Sequence, residues 1–376
     1  MIKKQAIIDI LKTVKYPGFS RDIVSFGVIK EIRVNEQLIS LVLSIKSNDK
    51  KIISRLDEDI KKSLLLSKLD IEKVKIKISL GRTDSDFKPT RVNGIKKIIA
   101  IGSAKGGVGK STLAMNLAVE LGKKNKVGFL DLDIYGPSLP LMVSNNQTPE
   151  IIRDKLIPID KYGLKLMSFG FLNQDNAPAI WRGPMVAKLT NQFFDNVNWG
   201  ELDLLIIDLP PGTGDIQLTL SQKIDLDGVI IITTPQKIAL EDVRKGSDMF
   251  KKVNMPILGI IENMSYISFC GKITNKDQNS IFKNSLLDIK GLKKPVFIDR
   301  DGSFKVNFKI FDGPGGISES RRLGLPLLGE IPIEPILAAS TDSGHPFMLT
   351  PSADSIASKQ ISKISSTLIE RLGLHE

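Results

Sequence analysis

Cysteine occurs once in the 376 residues, at Cys270, so no disulfide forms within a chain and no chain alone builds a cysteine-only metal site. Histidine is almost as scarce: His345 and His375 are far from Cys270 in sequence and individually weak as metal-site signals. No apolar run approaches the ~20 residues that cross a bilayer, and charge interrupts "MIKKQAIIDILKTVKYPG" before a signal-type apolar region develops. A cytoplasmic protein with no membrane partner is therefore expected. The chain also lacks internal repeats and low-complexity tracts, and its C-terminus, "KQISKISSTLIERLGLHE", has neither a dense basic tail nor a strong membrane-lying face.

What the chain has in excess is positive charge, +11 overall. Such an excess fits nucleic acid, an anionic surface or a plainly solvated lysine-rich exterior, and the last is the commonest outcome. It is uneven: residues 1–90 hold 19 Lys and Arg against 12 Asp and Glu, a first sign of a separate module.

That module reads as a small α+β unit over residues 1–82. A helix is expected around Ile7 to Val14, strands at Gly27 to Val34 and Leu38 to Ser47, and a helix near Ile52 to Leu66. In "EKVKIKISL" Val74, Ile76, Ile78 and Leu80 alternate with lysines, the period of a strand with one wet face. Polar, aperiodic residues 83–94 read as a linker. From residue 95 to 376 short apolar strands ("KKIIAIGS", "KVGFLDLD", "LDLLIIDLPPG", "GVIIITTP", "ILGIIENM") alternate with helical patterns. Near-continuous β-branched runs of this kind imply an α/β fold, a mainly parallel sheet covered by helices on both faces, with ligands at the carboxyl ends of its strands.

The chemistry concentrates in "IGSAKGGVGKST", Ile101 to Thr112. The pattern G-x-x-x-x-G-K-[ST] is met except at its first position, Ala104, and it follows an apolar strand and opens a helix with Leu113, Leu117, Ala118 and Leu121 on one face. Gly106, Gly107 and Gly109, with Val108 between them, let backbone N–H groups turn inward around phosphate oxygens at a helix N-terminus, where Thr112 also lies. Lys110 neutralises β and γ oxygens, and Ser111 offers its hydroxyl to Mg²⁺. ATP and Mg²⁺ are the cofactors this arrangement expects. Two further strands end in carboxylates: Asp208 suits holding Mg²⁺ through water, and Asp133 suits orienting the attacking water. Asp131 and Asp215 are equally compatible with loop capping and with function.

The string "AKGGVGKST" resembles the MinD/ParA class of P-loop ATPases, whose pattern K-G-G-x-G-K-[ST] carries one more lysine. The resemblance implies that Lys105 reaches across a homodimer to the partner's nucleotide, coupling ATP binding to association. Further segments narrow it: "DLDIYGPSLPLM", "IWRGPM", "WGELDLLIIDLPPGTGDIQLTL", "TTPQKIALEDVRKG" and "IENMSY" together resemble the Mrp/ApbC family, and "RDIVSFGVIKEI" is similar to the PaaD-like domain that often precedes it. The first module's "YPGFS" departs from that domain's usual acidic turn. What the resemblance implies is a slow, Mg²⁺-dependent ATPase that carries or scaffolds iron-sulfur clusters for apoproteins or assembly factors, with Asn263 on the adenine base. A positioning ATPase that binds DNA non-specifically, or a nucleotide-switched interaction protein without metal, are the alternatives; "WRGPM" and "PPGTGD" favour the first reading, so nucleic acid is not expected as a partner.

One motif breaks. The family's C-x-x-C, two per dimer, holds a bridging 4Fe-4S cluster; here "ENMSYISFCGK" retains Cys270 and has Ile267 three residues earlier, followed by a lysine-rich insert at about 271–309. Three readings stay open: Cys270 joins its twin and two foreign ligands, it is a buried small hydrophobe, or the insert binds clients without metal. Within the insert "KKPVFIDRDGSFKVNFKIF" reads as a hairpin about Asp299 to Gly302.

Overall fold

The computed structural model describes residues 4–17, 22–25, 27–34, 38–43, 50–67, 75–80, 89–172, 183–212, 215–274, 285–290, 292, 294–311, 313 and 315–374. The beginning of "IWRGPM", His375 and residues 83–88 of the expected linker lie outside them. Contacts divide the chain into two units, Met1–Lys88 and Pro89–Glu376.

In the first unit the elements run α1 (Lys4–Leu11), β1 (Ile29–Val34), β2 (Leu38–Leu43), α2 (Lys50–Leu65) and β3 (Lys75–Leu80). α1 starts and stops three residues earlier than the periodicity suggests, because residues 12–13 turn and Val14 folds back to accept the Ile23 N–H. Strand β2 is central, antiparallel to β1 and parallel to β3, and α2 supplies the crossover that a parallel pair needs. Leu56, Ile60 and Leu64 form the helix stripe that meets Ile39, Leu41 and Leu43, all buried in one core with Ile7 and Leu11.

The second unit continues with β4 (Ile95–Gly102), α3 (Lys110–Gly122), β5 (Val127–Asp131), α4 (Leu139–Met142), β6 (Ile151–Ile152), β7 (Lys155–Leu156), β8 (Ile159–Lys161), β9 (Leu164–Ser168), α5 (Phe169–Leu172) and α6 (Gly183–Asp195). Then come β10 (Leu202–Asp208), α7 (Asp215–Lys223), β11 (Gly228–Thr233), α8 (Lys237–Lys252), β12 (Ile257–Glu262), β13 (Ile267–Lys272), β14 (Leu286–Leu287), β15 (Val296–Phe297) and β16 (Ser303–Phe308). The unit ends with α9 (Gly315–Leu323), β17 (Leu327–Glu330), α10 (Pro335–Asp342) and α11 (Ile356–Leu372). Residues 89–94 belong here: the Thr90 N–H donates to Lys223 O at 2.9 Å and the Arg91 guanidinium meets Asp227 at 2.6 Å.

Eight strands form one sheet in the order β17-β12-β11-β4-β10-β5-β9-β8, parallel throughout except for the antiparallel edge strand β8. Both faces are buried, which explains the unbroken apolar runs. In β10, Leu204 and Ile206 enter the core on one side of the sheet, and Leu205 and Ile207 enter the core on the other. The α3 helix is enclosed more fully than a single apolar face predicts. Met115, Ala114 and Val119 are buried with the expected Leu113, Leu117, Ala118 and Leu121, because α11 lays Ile361, Ile364 and Leu368 into the same core.

Beyond the sheet, β13 and β16 make a separate antiparallel ribbon in which Ile267 pairs with Phe308 and Cys270 with Lys305. A turn does form at Asp299–Gly302, closed by Gly302 N–H to Asp299 O at 2.9 Å, with Gly302 at φ 88°. Its two arms, however, share only one bridge, Ile298 with Phe304; β16 gives its length to β13 and β15 pairs with β14. The long partner of β16 is thus the cysteine strand upstream of the insert, a pairing that short-range turn signals do not reveal. Among the described residues no helix is long and apolar enough to cross a membrane.

Candidate nucleotide site

The loop between β4 and α3 is a backbone cradle. Gly107 (φ 78°) and Gly109 (φ 76°) take left-handed conformations, and Gly109 caps α3. Alternation of this kind turns successive N–H groups to one side, which is what an anion at a helix N-terminus requires. Gly109 is required for a second reason: a Cβ there would come 2.4 Å from Asn263 Nδ2.

Lys110 is 6% exposed, and its ammonium donates to Asp208 Oδ1 at 2.6 Å and Ser111 Oγ at 3.1 Å. Sheet register explains the meeting: Asp208, the last residue of β10, lies between Ile101 of β4 and Asp131 of β5. Asp208 is fully buried. Burial pushes its carboxyl above the usual range, while Lys110 and Ser111 pull the other way. Its second oxygen, Oδ2, is buried without a hydrogen-bond partner. An unsatisfied carboxylate oxygen beside a serine hydroxyl and a glycine cradle fits a hydrated Mg²⁺, so the donor set suits the ion that the loop implies.

Asp131 acts differently. It accepts from Asp133 N–H (3.0 Å), Ser138 N–H (3.1 Å), Leu139 N–H (3.2 Å) and the Ser168 hydroxyl (3.0 Å), so it staples the loop after β5. Burial first, then the neighbouring charge of Asp208, pushes its carboxyl up to about 7. Asp133, on that stapled loop, is half-buried and accepts from the N–H groups of Tyr135 (3.2 Å) and Gly136 (3.1 Å). Asp215 begins α7; its side chain lies outside the description.

Asn263 follows β12 and is buried. Its amide donates to Val108 O at 2.8 Å, so it braces the phosphate loop from behind. Lys105 is half-buried, and its Nζ donates to Gln236 Oε1 at 3.0 Å. Cys270 stands apart on β13 and is exposed, which overturns its reading as a buried small hydrophobe. Positions 267 and 270 are an odd number of residues apart in an extended strand and so lie on opposite faces of the ribbon. Even a cysteine at 267 would not chelate with Cys270 in this strand. Among the described residues no cluster of three or more His, Cys, Asp or Glu side chains could hold a metal ion.

Two residues escaped the sequence reading. Gln236 sits inside "TTPQKIALEDVRKG", noticed as a string without a role. Glu262 is 4% exposed and accepts the Gly316 N–H at 2.5 Å, tying the end of β12 to the start of α9 across the base of the ribbon. The rule that flagged Asp131 and Asp208, an acid ending an apolar strand, applies equally to Glu262.

Comparison with known proteins agrees with this geometry. Residues 94–292 match the family model described as NUBPL iron-transfer P-loop NTPase, and residues 4–78 match that of iron-sulfur cluster assembly proteins. The chain is 33% identical over 386 aligned positions to an iron-sulfur cluster carrier protein of Synechocystis, covering 100% of this chain and 99% of that one. It is 39% identical over 297 residues to an iron-sulfur cluster carrier protein of Helicobacter pylori, covering 77% and 79%. Among solved structures, a nucleotide-binding protein from Archaeoglobus fulgidus in complex with ADP superposes with a TM-score of 0.52 at 32% identity, over 72% of this chain and 94% of that one. A model matched over more than half of the chain and relatives matched over most of theirs make the assignment: this chain belongs to the family of iron-transfer P-loop NTPases.

Proposed function

We propose that the protein is a Mg²⁺-dependent ATPase that works as a nucleotide-gated homodimer and carries iron-sulfur clusters to apoproteins or assembly factors. The observation that carries the enzymatic half is the Lys110–Asp208–Ser111 group beneath the glycine cradle, with Asp208 Oδ2 left unpartnered. Glycine N–H groups and Lys110 bind the β and γ phosphates of ATP. Ser111 and Asp208 would hold Mg²⁺, which would neutralise charge on those phosphates. Asp133 orients a water for attack on the γ phosphorus; the new P–O bond forms as the bond to the β-bridging oxygen breaks, giving ADP and phosphate. Lys105 from a second copy adds charge to the γ oxygens only when two chains close, so turnover is coupled to association. Asn263 keeps Val108 in place and presents the rest of its amide to the adenine.

The cargo half rests on family membership and on Cys270 being exposed. Two copies supply two thiolates. A cluster that needs four therefore takes its other ligands from the recipient or from small thiols, which suits transfer rather than storage. Phosphate release from purified protein against Lys110→Ala tests the first half: equal rates would refute it. Anaerobic reconstitution with iron counting tests the second, and wild-type protein that retains no iron would defeat the carrier reading.

A further inference from the structure

Lys105 is engaged within its own chain. Its ammonium donates to Gln236 Oε1 at 3.0 Å, and Ser103 Oγ donates to the Lys105 carbonyl at 3.0 Å, so both ends of the residue are held. Gln236 is the N-cap residue of α8 with extended backbone (φ −59°, ψ 133°), yet its side chain makes no capping bond to its own helix. Its amide oxygen is spent on Lys105 instead.

The helix behind Gln236 has little freedom to follow the lysine. A Cβ on Gly246 of α8 would stand 3.3 Å from the Ala104 Cβ, and one on Gly102 would stand 3.0 Å from Phe250 of α8, so α8 lies directly on the start of the phosphate loop. Farther along, the Ser247 hydroxyl donates to buried Glu319 of α9 at 2.6 Å, and Arg322 joins Glu319 (2.6 Å) to Asp248 (2.9 Å). When Lys105 leaves, Gln236 stays.

We propose that Gln236 is a positioning residue that latches Lys105 onto its own subunit until the nucleotide of a second copy offers a better acceptor; this rests on Lys105 acting between subunits. The exchange has the right order of strengths. The ammonium's bond to the neutral amide oxygen is already charge-assisted, and phosphate oxygens add the attraction of full opposite charge that an amide lacks. Each dimer opens two latches, so the dimerisation constant changes by the square of the per-latch factor. For a half-exposed lysine a factor of about three per latch is reasonable, giving about tenfold in the dimer constant.

The test is sedimentation of the full chain over a range of concentrations with a non-hydrolysable ATP analogue and Mg²⁺. Gln236→Ala should dimerise at about tenfold lower protein concentration, and Gln236→Glu, which strengthens the latch with a charge, should need a higher concentration than the parent. Both shifts should vanish in the Lys105→Ala background, and a fluorescent ADP analogue should bind dilute Gln236→Ala as it binds the parent. If Lys105→Ala weakens the dimer while both Gln236 variants match the parent, the latch is wrong and the intersubunit lysine stands. If Lys105→Ala dimerises like the parent, both fall. Weakened ADP binding by dilute Gln236→Ala would make Gln236 a nucleotide contact and overturn the latch.

Discussion

Replacing Lys110 by alanine should cost stability as well as activity, and the cost should depend on pH in a direction the structure fixes. Asp208 is fully buried, one oxygen has Lys110 at 2.6 Å, and the other has no partner. Removing one member of a buried pair costs roughly 3–5 kcal/mol, because the survivor is left charged in a poor solvent. The carboxyl escapes by binding a proton: burial already raises it, and the variant removes the largest opposing influence. A carboxyl raised in the folded state gives stability that is complete below its unfolded value and lost as pH rises toward its folded value. The deficit of Lys110→Ala relative to the parent should therefore be small in acid. It should grow by at most about 1.4 kcal/mol per pH unit above the parent's own Asp208 titration, and level off once the variant's carboxyl is ionised. In melting temperature that is roughly 6–15 °C at alkaline pH and much less in acid, below the parent's own Asp208 titration. Adding Asp208→Asn to Lys110→Ala removes the stranded charge and should recover most of the loss at high pH. A deficit that stays the same from acid to alkaline pH, unrelieved by Asp208→Asn, would refute the buried-pair reasoning.

Gly109→Ala places a Cβ at φ 76° and 2.4 Å from Asn263 Nδ2, so ADP-analogue binding should fall at least tenfold with a stability loss of about 1–3 kcal/mol in denaturant melts. Asn263→Ala removes the 2.8 Å brace on Val108 O and should weaken nucleotide binding about tenfold, by fluorescence titration, while leaving the fold intact by circular dichroism. Asp133→Asn should lower turnover by about a hundredfold with little change in ATP-analogue affinity, in single-turnover phosphate release, because it touches water orientation and not the cradle. Cys270→Ser should abolish iron retained after anaerobic reconstitution, read by iron counting on the desalted protein.

The parallel sheet was legible because burial on both faces writes itself as continuous apolar strings, as in Leu204 to Ile207. The phosphate loop was legible because glycine, lysine and serine are needed there in a fixed order over a few residues. What stayed hidden depends on contacts between distant segments. Cys270 was as compatible with burial as with exposure, since its environment is set by β16, more than thirty positions downstream. Lys105 and Gln236 are 131 residues apart and Glu262 and Gly316 are 54 apart, distances over which local periodicity carries no information. Asp131 and Asp208 look alike in sequence, each closing an apolar strand. Only the neighbours distinguish them: Asp131 is saturated by the N–H groups of its own loop, and Asp208 keeps an oxygen free.

The claim on which the rest depends is that two copies close around nucleotide through Lys105. Light scattering after size exclusion, with a non-hydrolysable ATP analogue and Mg²⁺, measures it directly. The account predicts a dimer for the parent and a monomer for Lys105→Ala under the same conditions; a parent that stays monomeric, or a Lys105→Ala variant that dimerises as readily, would contradict it.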